Sequence, residues 1–298
     1  PVVNLTNPRF ILHTGDNNQI YNSATDWAGL EEAKLRVQRF FEGVSDYTVP
    51  TVVVNGNHDI GWSSYDNFDL WRKQYTQQVG QRVFSFQMGS FYVLTSEWTL
   101  TEYLDWAKSD YAASWKDPSI EFRLIASHDY AGPDGWTTIA TEEDACDVML
   151  VGHLPRTRTL QTSPYKVLAV GTAQDYQRAA FFNFQRTDDG WMTPQAEEHA
   201  DGINVHRLIG DWGAPTVSAA YDKPNDGTGN RNSAAITNSL PHDFYNGRVR
   251  FLMTKGSYSV AGGTVLAQYD YDNGTKTAVL VQTNIRKNAV TRISIDPE

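Results

Sequence analysis

The chain has 298 residues, enough for one large or two ordinary domains with a full hydrophobic core. Its 35 acidic residues against 25 basic ones leave a net charge of −10, which argues against a nucleic-acid scaffold role. No apolar run approaches the roughly 18 residues of a membrane span, and the single cysteine, Cys146, cannot form an internal disulfide.

In chain order, a strand-like run Phe10-Ile11-Leu12 leads to Gly15-Asp16. Trp27, Leu30, Ala33, Val37, Phe40 and Val44 follow at spacings of three and four, a helix face with Asp26 placed to cap it. Tyr47-Thr48-Val49-Pro50 stops that helix, and Thr51-Val52-Val53-Val54 is a second strand ending in Gly56-Asn57-His58-Asp59. Strand, helix, strand is the crossover unit of a parallel pair.

Val83–Phe86 and Phe91–Thr95 around Gly89-Ser90 read as a hairpin. Residues 102–115 carry Tyr103, Trp106, Tyr111 and Trp115 at helical spacing, a pattern expected to face a core. Leu124-Ile125-Ala126 then leads to Ser127-His128, and Val148-Met149-Leu150-Val151 leads to Gly152-His153. Cys146, just before this last strand, reads as a small buried hydrophobe. Strands near Lys166–Val170 and Ala179–Phe184 complete a sheet.

Composition shifts near Gly190. Residues 191–247 are rich in Asn, Asp, Gly and Pro and read as an irregular connection between a domain at 1–190 and a small β-sandwich-like domain at 248–298. In the last region, strand-like runs alternate with turns, among them Asp272-Asn273-Gly274. Asp270, Asp272 and Asn273 resemble the start of a calcium loop that no Glu closes. Nine Trp, many Asn, Thr and Gly, and few Lys lean toward a secreted or cell-surface protein, and Asn4-Leu5-Thr6 and Asn273-Gly274-Thr275 fit the glycosylation acceptor pattern, which arises often by chance.

Four strand ends thus deliver Asp16, Asn57, His128 and His153, a mixed oxygen and imidazole set suited to a first-row transition metal. The runs Gly15-Asp16, Gly56-Asn57-His58-Asp59, His128 and Gly152-His153 resemble, in order and context, the motifs of the calcineurin-like metallophosphoesterases over roughly residues 8–185. The resemblance implies a four-layer α/β/β/α sandwich, here with a C-terminal all-β appendage. It also implies a divalent Fe, Mn or Zn ion held by Asp16, Asn57, His128 and His153. By the same resemblance His58 donates a proton to, or hydrogen-bonds, the leaving oxygen, with Asp59 orienting it.

Two departures fall on a second metal. The opening Asp-x-His motif is absent, and Pro155 stands where the family has its last His. Only nine residues precede Phe10, too few for another strand and a parallel crossover of about a dozen residues. The expectation is that a removed segment or another polypeptide supplies that strand, in a gap flanked by the strands of Asp16 and His153.

Three functions follow as alternatives. The first is hydrolysis of a phosphate ester, on a small molecule or a polymer. The second is a non-catalytic structural or surface role on a degenerate fold. The third is a binding module for phosphorylated or carbohydrate ligands.

Overall fold

The computed structural model describes residues 2–17, 27–60, 73, 75–96, 103–129, 139–140, 144–154, 157–161, 165–170, 179–182, 184–188, 190–192, 206–209 and 216–298. The α/β part opens with α1 (Val2–Thr6), β1 (Ile11–Thr14), α2 (Trp27–Val44), β2 (Thr51–Val54) and a single helical turn, α3 (Asn57–Ile60). It continues with β3 (Phe84–Met88), β4 (Phe91–Thr95), α4 (Leu104–Ser114), β5 (Phe122–Ser127), β6 (Val148–Val151), β7 (Thr157–Gln161) and β8 (Lys166–Val170). Short strands β9 (Ala179–Phe181), β10 (Gln185–Thr187), β11 (Gly190–Met192) and β12 (His206–Ile209) form two antiparallel pairs, β9 with β12 and β10 with β11. Asp26 and Pro155 lie outside the described residues.

β3 to β8 make one sheet in the order β3-β4-β5-β6-β8-β7, parallel through β4, β5, β6 and β8. Its central strands are apolar on both faces, as a sheet covered on both sides requires. The period of two divides them cleanly. Ile125, Met149, Val151, Val167 and Ala169 face α4, packing with Ala107 and Tyr111. Leu124, Ala126, Val148, Leu150 and Leu168 face the other way, against Val54, Phe10 and Leu12 of the β1–β2 layer. α2 covers the far side of that layer, where Phe40 meets the His13 ring edge-on at 5.3 Å. The order of layers is therefore α2, β1–β2, six-stranded sheet, α4.

Cys146 sits in the α4-side core, 3% exposed, and burial pushes its thiol well above the ordinary range. Of the aromatic residues around α4, Tyr111 is buried, but Trp106 and Trp115 are exposed. The expectation of a wholly core-facing aromatic set is corrected here. Trp115 instead provides a platform for Arg123, whose guanidinium carbon lies 4.0 Å from the ring centroid.

β1 pairs in parallel with β2, and among the described residues no strand pairs with its other edge. β6, by contrast, is paired on both edges, with β5 and β8. The strand leading to His153 therefore does not border a gap, contrary to the sequence expectation. His153 arrives from the middle of one sheet and Asp16 from the other layer.

The C-terminal region is antiparallel throughout. β13 (Val217–Tyr221), β14 (Asn232–Asn238), β19 (Ala289–Pro297) and β16 (Tyr258–Ala261) form one sheet. β15 (Phe244–Thr254), β18 (Lys276–Ile285) and β17 (Thr264–Tyr271) form the other. A shared core of Val217, Ile236, Phe251, Val279, Val281 and Ile293 lies between them. β13 and β14 fall inside the stretch 191–247 expected to be irregular. Alternation along Asn232–Asn238 marks that strand, but the surrounding Asn, Gly and Pro residues of its turns mask it. Leu5 of α1 is buried in this same core, so the first helix packs with the last domain. Asn4 is only 7% exposed and bonded through its side chain, a poor glycan acceptor. The Asp272-Asn273 turn has both residues at positive φ, as a primed hairpin turn demands, and Asp270 and Asp272 are ion-paired with Lys255 and Lys276.

His13 is held neutral. Burial lowers its pKa to about 4, its ring lies between Phe40 and Tyr47, and Nε2 has no hydrogen-bond partner among the described residues. An unfolded histidine titrates near 6.5, so the unfolded state takes up the proton first, and stability falls as pH drops from about 6.5 towards 4. Relative to wild type, His13→Phe should gain on the order of 3 kcal/mol across that window. Urea unfolding at pH 7 and pH 4.5 measures the difference; an unchanged gap between the two proteins would contradict it.

Candidate metal centre

The site lies where the two sheets meet at their strand ends. β1 runs through Gly15 to Asp16, which adopts a left-handed backbone with φ 57°. β2 runs into the α3 turn, which presents Asn57 and His58. That turn is closed reciprocally: the Asp59 N–H donates to Gly56 O at 3.1 Å, and the Gly56 N–H donates to Asp59 Oδ2 at 2.8 Å. The Asp59 carboxylate reaching back to the Gly56 amide is the returning half of a capping box, with the Gly56 backbone oxygen in place of a capping side chain. Asp59 is fully buried. β5 ends in Ser127-His128, and β6 ends in Gly152-His153, with His153 also left-handed at φ 57°. Non-glycine residues held at positive φ are uncommon and concentrate where side chains must be aimed.

His128 is the hub. Its Nδ1 lies 2.8 Å from Thr14 O, so Nδ1 carries the proton and donates it, leaving Nε2 turned to the site. Around Nε2 stand Asn57 Oδ1 at 3.0 Å, His153 Nδ1 at 3.1 Å and Asp16 Oδ2 at 3.2 Å. The His58 N–H donates to the other Asp16 oxygen at 3.0 Å, fixing the carboxylate plane. Burial alone would push His128 down, but Asp16 and the Thr14 carbonyl outweigh it and the net shift is upward. Asp16 shows the converse: burial raises it, and His128 with the His58 amide brings it below the usual carboxylate range. The pocket favours positive charge.

The spacing fits a small cation. Donors about 2.0–2.1 Å from a first-row ion stand about 3.3 Å apart in a tetrahedron and about 3.0 Å apart across an octahedral right angle. The ligand atoms of Asp16, His128 and His153 all lie within 4.8 Å of one another. Asn57 and His128 are buried, while Asp16 and His153 are half-buried, so the donor set is closed on one side and reachable from the other.

The glycines of these runs have a steric role that motif spacing does not reveal. A Cβ on Gly15 would overlap the His128 ring, one on Gly56 would overlap Asp16, and one on Gly152 would overlap Thr14 O. The three form a collar that lets the imidazole sit between the strand ends. The Thr14 carbonyl as the His128 anchor is likewise invisible in sequence, since a backbone acceptor leaves no residue signature. Gly152→Ala should fold and yet lose about tenfold or more in metal affinity, as displaced ligand supports do. Gly43→Ala, in α2 with open space around it, should bind metal as wild type does. Calorimetric Zn2+ titration of both variants checks this, and equal affinities would refute the collar.

The sequence matches the model of the calcineurin-like phosphoesterases over residues 2–157. Among solved structures, the chain is similar to the Thermus thermophilus sulfate thiohydrolase SoxB in complex with glycerol. The identity is 13% and the TM-score 0.32, covering 58% of this chain and 36% of that one. The chain therefore spans little more than a third of that structure's length. No curated protein matches. The family match covers more than half of the chain and contains Asp16, Asn57, His58, Asp59, His128 and His153, and the chain belongs to the calcineurin-like phosphoesterase family.

Proposed function

We propose that this chain hydrolyses phosphate esters with one tightly held divalent transition metal, Fe, Mn or Zn, bound by Asp16, Asn57, His128 and His153. The observation that carries the reading is the convergence of Asn57 Oδ1, His153 Nδ1 and Asp16 Oδ2 on His128 Nε2 at 3.0–3.2 Å. Such a cation polarises a phosphoryl oxygen and acidifies water. The chain's residues do the rest. Asp16 supplies the negative charge, oriented by the His58 amide. Thr14 O holds His128 in the tautomer that exposes Nε2. The His58 imidazole serves the leaving oxygen as a proton donor. Asp59 acts on the turn, locking the backbone that aims Asn57 and His58.

A second reading keeps the fold and the ion but not the reaction, as a structural or surface protein. Pro155 favours it, because proline offers no donor to a neighbouring ion. Among the described residues one edge of β1 is unpaired, and another polypeptide could add a strand there. The closed Asp59–Gly56 turn that carries His58 supports the enzyme.

Turnover of bis-p-nitrophenyl phosphate by Mn2+-loaded protein separates the two. The wild type should hydrolyse the ester and lose the activity to a chelator, and Asp16→Asn should lose both metal and activity. His58→Ala should keep its metal and lose about a hundredfold or more in kcat. A protein that holds its ion and turns over nothing would be the structural relative.

A further inference from the structure

The four proposed ligands come from two separate sheets, and among the described residues the C-terminal sandwich grips the half that carries Asp16 and Asn57. Asp16 and Asn57 belong to the β1–β2 layer, and His128 and His153 to the six-stranded sheet. A two-stranded pair has little hold on its own geometry. What steadies this one lies in the turn at residues 46–48, which joins α2 to β2.

Arg250 of β15 donates through Nη1 and Nη2 to the two carboxylate oxygens of Asp46, at 2.7 and 2.9 Å. The Tyr271 ring of β17 lies 5.7 Å from the same guanidinium and helps aim it. Arg248 Nη1 donates to Thr48 O at 2.6 Å. From α1, whose Leu5 is anchored in the sandwich core, Asn4 Nδ2 donates to Asp46 O at 2.7 Å. Asn4 Oδ1 in turn accepts from the Thr48 N–H at 3.1 Å. Gly247 leaves the space that the Leu5 carbonyl needs. Both backbone and side-chain groups of the turn are thus held by the sandwich and its docked helix.

The turn passes that constraint to both strands. Tyr47 stacks on His13 of β1, ring centroids 6.1 Å apart and planes 7° from parallel. The Pro50 carbonyl accepts from the Ile11 N–H at 2.9 Å, where β1 and β2 begin their pairing. From there β2 runs straight to Gly56 and Asn57.

We propose that Arg250 and Asp46 are positioning residues for the metal centre: through them the C-terminal sandwich sets where the β1–β2 layer places Asp16 and Asn57 against His128 and His153. This rests on the reading of those four residues as metal ligands. A bidentate, partly exposed ion pair of this kind contributes little to global stability, so its loss loosens one half of the site while the fold survives.

The test uses the full chain as wild type, Arg250→Met, Asp46→Ala, the double variant and Arg250→Lys. Co2+ affinity is read from its visible absorption, and amide exchange is read on the metal-free proteins. Either single substitution should weaken Co2+ binding about fivefold or more, the lower range of ordinary coupling between sites. The double variant should be no worse than the weaker single one, because the pair acts as a unit. Arg250→Lys, which keeps the charge without the fork, should fall between. In the metal-free variants, exchange should rise over residues 51–58 and stay unchanged over 148–151. Unaltered affinity in every variant, additive losses, or an equal rise in both segments would overturn the proposal. Failure of wild type to take up Co2+ would remove the metal-centre reading on its own. The exchange comparison then decides the coupling, and no rise at 51–58 would overturn it.

Discussion

Everything at the functional end of this molecule depends on one crowded point, the Nε2 atom of His128 with an oxygen or nitrogen atom on three sides. Two oxygens and a second imidazole nitrogen 3.0–3.2 Å from that atom leave lone pairs facing one another unless a proton or a metal ion stands among them. The fold is arranged to bear that demand. Thr14 O fixes the ring from behind, the glycine collar admits it, and two left-handed residues turn Asp16 and His153 inward. Burial strengthens each of these contacts, because the same low dielectric that makes an isolated charge costly makes a paired one strong.

The site is a seam between two layers, and that explains features which look unrelated. Small residues at the strand ends allow the layers to approach. Strict alternation in β5, β6 and β8 divides their side chains between the α4 core and the β1–β2 core, so a slip of one residue would exchange the two sets and mispack both cores. The β1–β2 layer is the thinner partner. It is backed by α2 on one side and by the 46–48 turn at its root, where the C-terminal β region and α1 converge.

Much of this was legible in the sequence, for physical reasons. Each proposed ligand follows an apolar β-branched or aliphatic run, and such runs end where a parallel sheet opens to its loops. The amphipathic period of α2 and the hairpin of β3 and β4 were equally plain. What was hidden depends on the third dimension. Backbone acceptors such as Thr14 O have no residue code. The pairing of β6 with β8 set His153 in mid-sheet, which strand order along the chain does not reveal. Strands β13 and β14 were masked by turn-rich neighbours. Trp106 and Trp115 kept helical spacing and still faced outward, since periodicity gives a face and not the direction in which it looks.

The central claim is that two imidazoles and two oxygen donors, delivered by both sheets, share one ion. X-ray absorption at the zinc edge on protein loaded with one equivalent of Zn2+ tests it most directly. The account predicts a first shell of nitrogen and oxygen donors at about 2.0–2.1 Å with the outer-shell scattering of two imidazoles. His128→Ala should reduce that to one imidazole or abolish binding. A shell of oxygen donors without imidazole scattering, or one unchanged by His128→Ala, would place the ion elsewhere and contradict the account.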